Sequence, residues 1–236
     1  MAGPQKSSSV YGSDCMLQES KLPGLKKIMN RRNRMNGLTL LDRMPDCSVQ
    51  AAFFDPQYRG ILDRMKYGNE GVSRGRLRSG MEQMSADTVR EFLGEMGRVL
   101  VPSGTLFLWI DKFHLVDGIS GWIEGTCLNA VDMITWDKQR MGMGYRTRRC
   151  SEHMVVLQKS PKRAKNVWRD HGIPDVWPEK VEGRNHTHAK PVRLQARLIE
   201  CVTTGRGAVL DPAAGGYSVL ESCKRTGRNF IGCDLR

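Results

Sequence analysis

Acidic residues are the scarce class in this sequence: 25 Asp and Glu stand against 37 Lys and Arg, a formal charge of +12 across 236 residues. That imbalance argues against an acid-loving partner and for a polyanion, whose phosphates give affinity through released counterions. Cysteine is present but unpatterned. Its seven positions, Cys15, Cys47, Cys127, Cys150, Cys201, Cys223 and Cys233, are odd in number and contain no C-x-x-C, so neither a disulfide framework nor a zinc ribbon is indicated. A reducing cytoplasm is the expected setting. No run approaches the roughly 20 apolar residues that cross a bilayer. The opening MAGPQKSSSVYGSD lacks an apolar leader, so secretion is not expected, and residues 1–20 read as a disordered polar tail. His186 and His188 have no Cys or carboxylate companions, and no metal site is expected.

What remains is enough for one α/β domain, here residues 21–236. Hydrophobic residues make up a modest 39%. Ala51–Phe54 reads as a short buried strand running into Asp55. Ser85 is a candidate N-cap for a helix whose Val89, Phe92, Leu93 and Met96 recur at helical spacing. Further strands are predicted at Thr105–Ile110, Met133–Trp136, His153–Leu157, Ala208–Leu210 and Asn229–Cys233, and a helix at Val192–Val202. Gly215-Gly216 is predicted to open another helix. Residues 159–190 lose periodicity and turn polar and basic, which predicts a small insert or long loop. Alternating strands and helices of this kind predict a mostly parallel sheet with helices on both faces.

Two strand ends carry chemistry, because ligands of open α/β sheets bind just beyond the carboxyl ends of their strands. The first is Asp55-Pro56-Gln57-Tyr58. The Asp55 carboxylate and the Pro56 carbonyl can each accept a hydrogen from a base amino group, and Tyr58 can stack on its ring. An ordinary Asp-Pro turn is the bland alternative. The second is Asp211 to Ser218, a turn of small residues leading into a helix whose free N–H groups favour an anion or polar ligand. Asp234 ends the next strand, where a carboxylate can hold ribose hydroxyls.

Together these residues resemble the amino-methylating DNA methyltransferases that carry a D-P-P-Y-type motif. Leu38–Tyr58 is similar to the segment leading into that motif. Ile134–Lys138 and Glu152–Lys159 resemble the strands that follow it. His186 with Lys190-Pro191 is similar to an H-x-x-x-K-P segment, and Val209–Asp234 to the cofactor-binding unit. The order, catalytic motif first and cofactor motif last, is that of the permuted β class, whose missing edge strand would come from the N-terminal segment, making the chain look complete. The resemblance implies a Rossmann-like fold and S-adenosylmethionine as cofactor. It implies transfer of a methyl group to the exocyclic amino group of a flipped-out base in DNA. Asp55, Pro56, Gln57 and Tyr58 would form the catalytic motif. Asp55, His186, Lys190, Asp211, Ala213, Gly215, Ser218 and Asp234 would line the cofactor. Asp rather than Ser at position 55 tilts the target toward N6 of adenine over N4 of cytosine. Four departures stand out: Gln57 for a second proline, Tyr217 for a third glycine, Ala213 for a phenylalanine, and Asn36 for an acid.

Residues 138–169 hold ten Lys and Arg against one acid, Glu152, and residues 59–80 hold six against two. DNA contacts are therefore expected from Arg59, Arg74, Arg76, Arg78, Arg140, Arg146, Arg148, Arg149, Lys162 and Arg163. The basic stretch at about 159–185 stands in the place of a target-recognition region, although Trp168 and Trp177 are better explained by packing than by base contact. A homodimer and a bacterial or phage-encoded, nucleoid-associated setting fit this reading. The rivals are an N4-cytosine enzyme, an idle DNA-binding relative and an RNA amino-methyltransferase.

Overall fold

The computed structural model describes residues 24–57, 84–142, 146–180 and 190–235. Its framework follows from strands too apolar to leave either face in water. Strand β1 (Val49–Phe54) is buried almost throughout, and its side chains alternate between two cores. Phe54 stacks on Phe92 with ring centroids 5.0 Å apart, while Phe53 stacks on Phe107 at 4.8 Å on the opposite face.

Helix α1 (Gly37–Asp42) is capped by Asn36, whose side chain accepts from the Leu38 and Thr39 N–H groups. Position 36 therefore serves as a cap in this chain. Helix α2 (Ala86–Val99) starts at the predicted Ser85 cap, with the Thr88 N–H donated to Ser85 Oγ at 3.1 Å. Both helices cover the Phe54 face, together with Leu106 and Leu108 of β2 (Leu100–Ile110). Two short helices follow, α3 (Lys112–Asp117) and α4 (Ser120–Ile123). Strands β3 (Leu128–Gly142) and β4 (Arg149–Lys159) form a long antiparallel pair, well beyond the predicted cores at 133–136 and 153–157. Strand β5 (Val176–Pro178), helix α5 (Val192–Val202), strand β6 (Ala208–Asp211), helix α6 (Ser218–Thr226) and strand β7 (Asn229–Gly232) complete the order. Helices α5 and α6 cover the Phe53 face, with Leu194, Leu198, Val219 and Leu220 packed inward.

The seven strands form one sheet in the order β5-β3-β4-β2-β1-β6-β7. Strands β7, β6, β1 and β2 are parallel, and β4 runs against both its neighbours. The expected Rossmann-like sheet is present. Its topological switch lies between β1 and β6, adjacent in space and 158 residues apart in sequence by their paired positions Ala51 and Val209. A crevice opens at such a switch, because the connections from the two strands leave in opposite directions.

Two expectations change in detail. The N-terminal segment does run beside β7, but among the described residues it pairs through a single parallel bridge, Arg34–Asp234, in place of a full strand. Asn30, Asn33 and Met35 complete that edge with backbone bonds of 2.9–3.0 Å to Phe230 and Asp234. The insert begins after Lys159, which belongs to β4, and it is bolted to α5. Arg197 Nε meets Asp170 Oδ2 at 2.7 Å, Trp168 donates to the Asp170 carbonyl at 3.0 Å, and Trp177 is buried in the core. Both tryptophans pack, and β5 adds a strand where no periodicity announced one. The tail at 1–20 lies outside the described residues.

Candidate active site

The carboxyl ends of β1 and β6 bring both predicted motifs to one place. Asp55 follows the last residue of β1, and Pro56 behind it is buried. The Gln57 carbonyl accepts the Met84 N–H at 2.8 Å, and its side chain is exposed. Gln57 therefore contributes through its backbone, which a proline carbonyl could do equally. Tyr58 and His186 lie outside the described residues, as do Arg59, Arg74, Arg76 and Arg78.

Lys190 is the surprise. Its ammonium lies 3.0 Å from Asp55 Oδ2 and 2.8 Å from Glu152 Oε2, and 4.6 Å from the centre of the Trp109 ring. Glu152 uses its other oxygen for Lys138, at 3.3 Å. Two carboxylates and two ammonium groups thus form a chain from β1 to β3, anchored on the antiparallel strand β4. Burial works against the Lys190 charge, yet Asp55 and Glu152 outweigh it and hold its pKa above the ordinary lysine value. Burial likewise raises the Glu152 carboxyl, but Lys190 and then Lys138 bring it down to about 2. Lys190 and Glu152 are both therefore charged at neutral pH.

The second motif has no such balance. Asp211 ends β6 as a buried carboxylate, and its side chain receives one backbone N–H, from Ala213 at 3.3 Å. Burial pushes its pKa well above the carboxylate range. The Ala213 N–H and, more weakly, the Lys190 charge oppose that rise, while neighbouring Asp55 and Asp234 add to it. Asp234 accepts the Gly215 N–H at 3.0 Å and so shapes the turn from the far side. Gly215 has φ +46°, a left-handed conformation that suits glycine. The predicted helix opens at Ser218, two residues later than the glycine pair, because Tyr217 takes the left-handed cap position. Tyr217 also explains its own presence where a glycine was expected. Its hydroxyl donates to the Asn33 carbonyl at 2.8 Å and its ring packs on Phe230, pinning the N-terminal segment to the turn. Gly37 completes the enclosure, since a Cβ there would stand 2.3 Å from the Pro212 carbonyl. The neighbouring Cys233 thiol is pushed up to about 12 by burial and by Asp211, so it stays protonated and is a poor nucleophile.

The basic residues divide between the two ends of β4. Arg140, Arg146, Arg148 and Arg149 stand at the end that carries Glu152, beside Asp55. Lys162 and Arg163 follow the other end, roughly 23 Å from Glu152 at about 3.3 Å per residue along the strand. There they border a cleft of about 510 Å³ between the insert and the sheet, with Trp168 and Ile134 in its wall. That cleft is remote from Asp55. Among the described residues no His, Cys, Asp and Glu group could hold a metal, and no helix is long and apolar enough to cross a membrane.

A family profile described as DNA methylase matches residues 54–236, which spans both motifs. The chain belongs to the DNA methylase family. It is an S-adenosylmethionine-dependent DNA methyltransferase of the amino-methylating N6/N4 group. It is 57% identical over 208 residues to the Type II methyltransferase M.HhaII of Haemophilus parahaemolyticus, covering 88% of this chain and 91% of that one. Among solved structures, it resembles the cytosine-N4-specific PvuII DNA methyltransferase with a TM-score of 0.64 at 13% identity, covering 87% of this chain and 81% of that one. It also resembles the M1.HpyAVI complex with S-adenosylmethionine, with a TM-score of 0.61 at 16% identity, covering 87% and 93% of the two chains.

The donor set of this methylase fits its cofactor. Asp211 and Asp234 flank a turn of small residues, and a sulfonium nucleoside brings positive charge and ribose hydroxyls to such a place. Four residues of the site escaped sequence reading: Glu152, Lys138, Trp109 and Glu179. Glu152 had a signal, as the single acid in a stretch with ten bases. Glu179 had none. It is buried at the end of β5, where it accepts the Arg193 and Leu194 N–H groups at 2.9 Å each and the Trp177 indole at 2.8 Å. It thereby caps α5, the helix that follows Lys190.

Proposed function

We propose that this methyltransferase acts on N6 of adenine, with Asp55 and the Pro56 carbonyl holding the target amino group. The observation that carries the reading is the Asp55 carboxylate, oriented by Lys190 at 3.0 Å and facing the crevice shared with the Asp211 turn. An exocyclic amino nitrogen is a poor nucleophile, because its lone pair is delocalised into the ring. Accepting both of its hydrogens at Asp55 and Pro56 draws the lone pair out of conjugation and aims it at the donor. Bound S-adenosylmethionine supplies an electrophilic methyl group on a sulfonium sulfur. Asp211, Ala213, Gly215, Ser218 and Asp234 would hold it, with Asp234 on the ribose and His186 nearby. The protein's contribution is then alignment and electrostatics. As the nitrogen turns cationic it sheds a proton, and the Asp55 carboxylate is the acceptor within reach.

Tyr58 would stack on the extruded base, and Arg59, Arg74, Arg76 and Arg78 would draw phosphates toward it. Arg140, Arg146, Arg148 and Arg149 stand at the right end of the sheet to grip the same duplex. Lys162 and Arg163, with the insert at about 159–185, would reach DNA farther out, as part of a target-recognition surface or in a homodimer. A cytoplasmic site of action follows from the DNA substrate and the bacterial relative.

Nucleosides released from the DNA of cells making this protein are the test. N6-methyladenine that vanishes with Asp55→Ala is the expected result. N4-methylcytosine would keep the mechanism and overturn the base, and an undiminished product from Asp55→Ala would overturn the clamp.

A further inference from the structure

We propose that Glu152 is a positioning residue for methyl transfer, acting through Lys190 to keep the surroundings of Asp55 electrically neutral and Asp55 itself free to engage the target amino group. The inference rests on the reading of Asp55 given above. The four side chains Asp55, Lys190, Glu152 and Lys138 carry two negative and two positive charges in one hydrogen-bonded chain. Each Glu152 oxygen serves one lysine, Oε2 at 2.8 Å for Lys190 and Oε1 at 3.3 Å for Lys138. The Lys190 ammonium is thus shared between two acids and held over Trp109, at a fixed place on its flexible stem.

Without the Glu152 charge two consequences follow. Lys190 has Asp55 as its remaining acidic partner and is drawn onto it, competing with the target N–H for Oδ2. The cluster also carries a net positive charge next to a nitrogen that becomes cationic as it attacks. In a partly buried site such a charge is weakly screened and raises the barrier. Lys138 lies on the strand that leads into the Arg140–Arg149 connection, so the same chain of charges links the basic hairpin to Asp55.

The test is charge rescue. Single-turnover rates would be measured at saturating S-adenosylmethionine and DNA for Glu152→Gln, Glu152→Asp, Glu152→Gln with Lys138→Met, and Asp55→Ala. Cofactor affinity by calorimetry, DNA affinity by anisotropy and melting curves would accompany each. Glu152→Gln is expected to slow transfer by about 10- to 100-fold, with both affinities within about threefold of wild type. Glu152→Asp, which keeps the charge, recovers most of the rate. Adding Lys138→Met to Glu152→Gln restores neutrality and recovers part of it, which a merely structural Glu152 would not allow. A wild-type rate for Glu152→Gln, or a double variant no faster than the single one, overturns the proposal. Loss of transfer in Asp55→Ala alongside full activity in Glu152→Gln rejects this inference alone; activity in Asp55→Ala rejects the clamp beneath it.

Discussion

The two acidic clusters at the carboxyl end of the sheet are built in opposite ways. Around Asp55, every carboxylate has its ammonium: Lys190 bridges Asp55 and Glu152, and Lys138 closes the chain. Around Asp211, a buried carboxylate has backbone N–H support, and neighbouring acids make its ionisation harder. The first arrangement is finished by the polypeptide itself and stands ready for a neutral amino group. The second leaves an electrostatic demand that, on the proposed function, a cationic ligand would satisfy. On the proposed function, a single crevice thus holds a preorganised half for the neutral base and a half that the charged cofactor would complete.

The comparison breaks most visibly at Lys190, the ammonium shared by Asp55 and Glu152. Lys190→Met leaves two carboxylates facing each other, but both are more than a third exposed, so solvent screening cuts the cost well below that of a buried pair, to about 1–2 kcal/mol. We expect a matching fall in unfolding free energy by urea titration, and methyl transfer lower by about 1,000-fold, with the electrostatic losses seen at other preorganised sites as the guide.

Asp211 sharpens the contrast from the other side. Asp211→Asn keeps an acceptor for the Ala213 N–H and removes a charge that burial penalises. Its melting temperature without cofactor should rise at neutral pH, while the stabilisation gained on adding S-adenosylmethionine shrinks. A drop in the cofactor-free melting temperature would mean that the Asp211 charge is already compensated.

The smallest effect is in acid. The Glu152 pKa lies near 2 in the folded protein against 4.5 for the free side chain. A depressed carboxylate contributes stability that is fully present above the unfolded value and is lost as pH falls through the folded one. The advantage of wild type over Glu152→Gln should therefore be constant above pH 4.5, decline below it and vanish near pH 2. Urea unfolding of the two proteins across that range reads it directly.

Much of this architecture was legible in the sequence, because strong periodicity and strand-end acids are local signals. Helix α5 was placed at Val192–Val202 from its apolar spacing, and α2 from Ser85 and the recurrence of Val89, Phe92, Leu93 and Met96. Asp55, Asp211 and Asp234 were each recognisable at the end of a buried strand. What escaped was long-range. Lys190 and Asp55 are 135 residues apart in sequence and meet through the switch between β1 and β6. Glu179 looks like any acid in a polar insert until β5 places it against the first turn of α5. Strand β5 itself has three residues, too few for a pattern. Lys162 and Arg163 read as one patch with Arg146–Arg149 in sequence, and only the length of β4 separates them.

The most direct test of the divided site is to titrate S-adenosylmethionine into Asp55→Asn and Asp211→Asn side by side, with methyl transfer to DNA measured on the same preparations. The account predicts that Asp55→Asn binds the cofactor within a few-fold of wild type and transfers about 100- to 1,000-fold more slowly. Asp211→Asn should bind about 10- to 100-fold more weakly and regain most of its rate at saturating cofactor. Equal losses of binding in both variants, or full affinity in Asp211→Asn, would contradict the division.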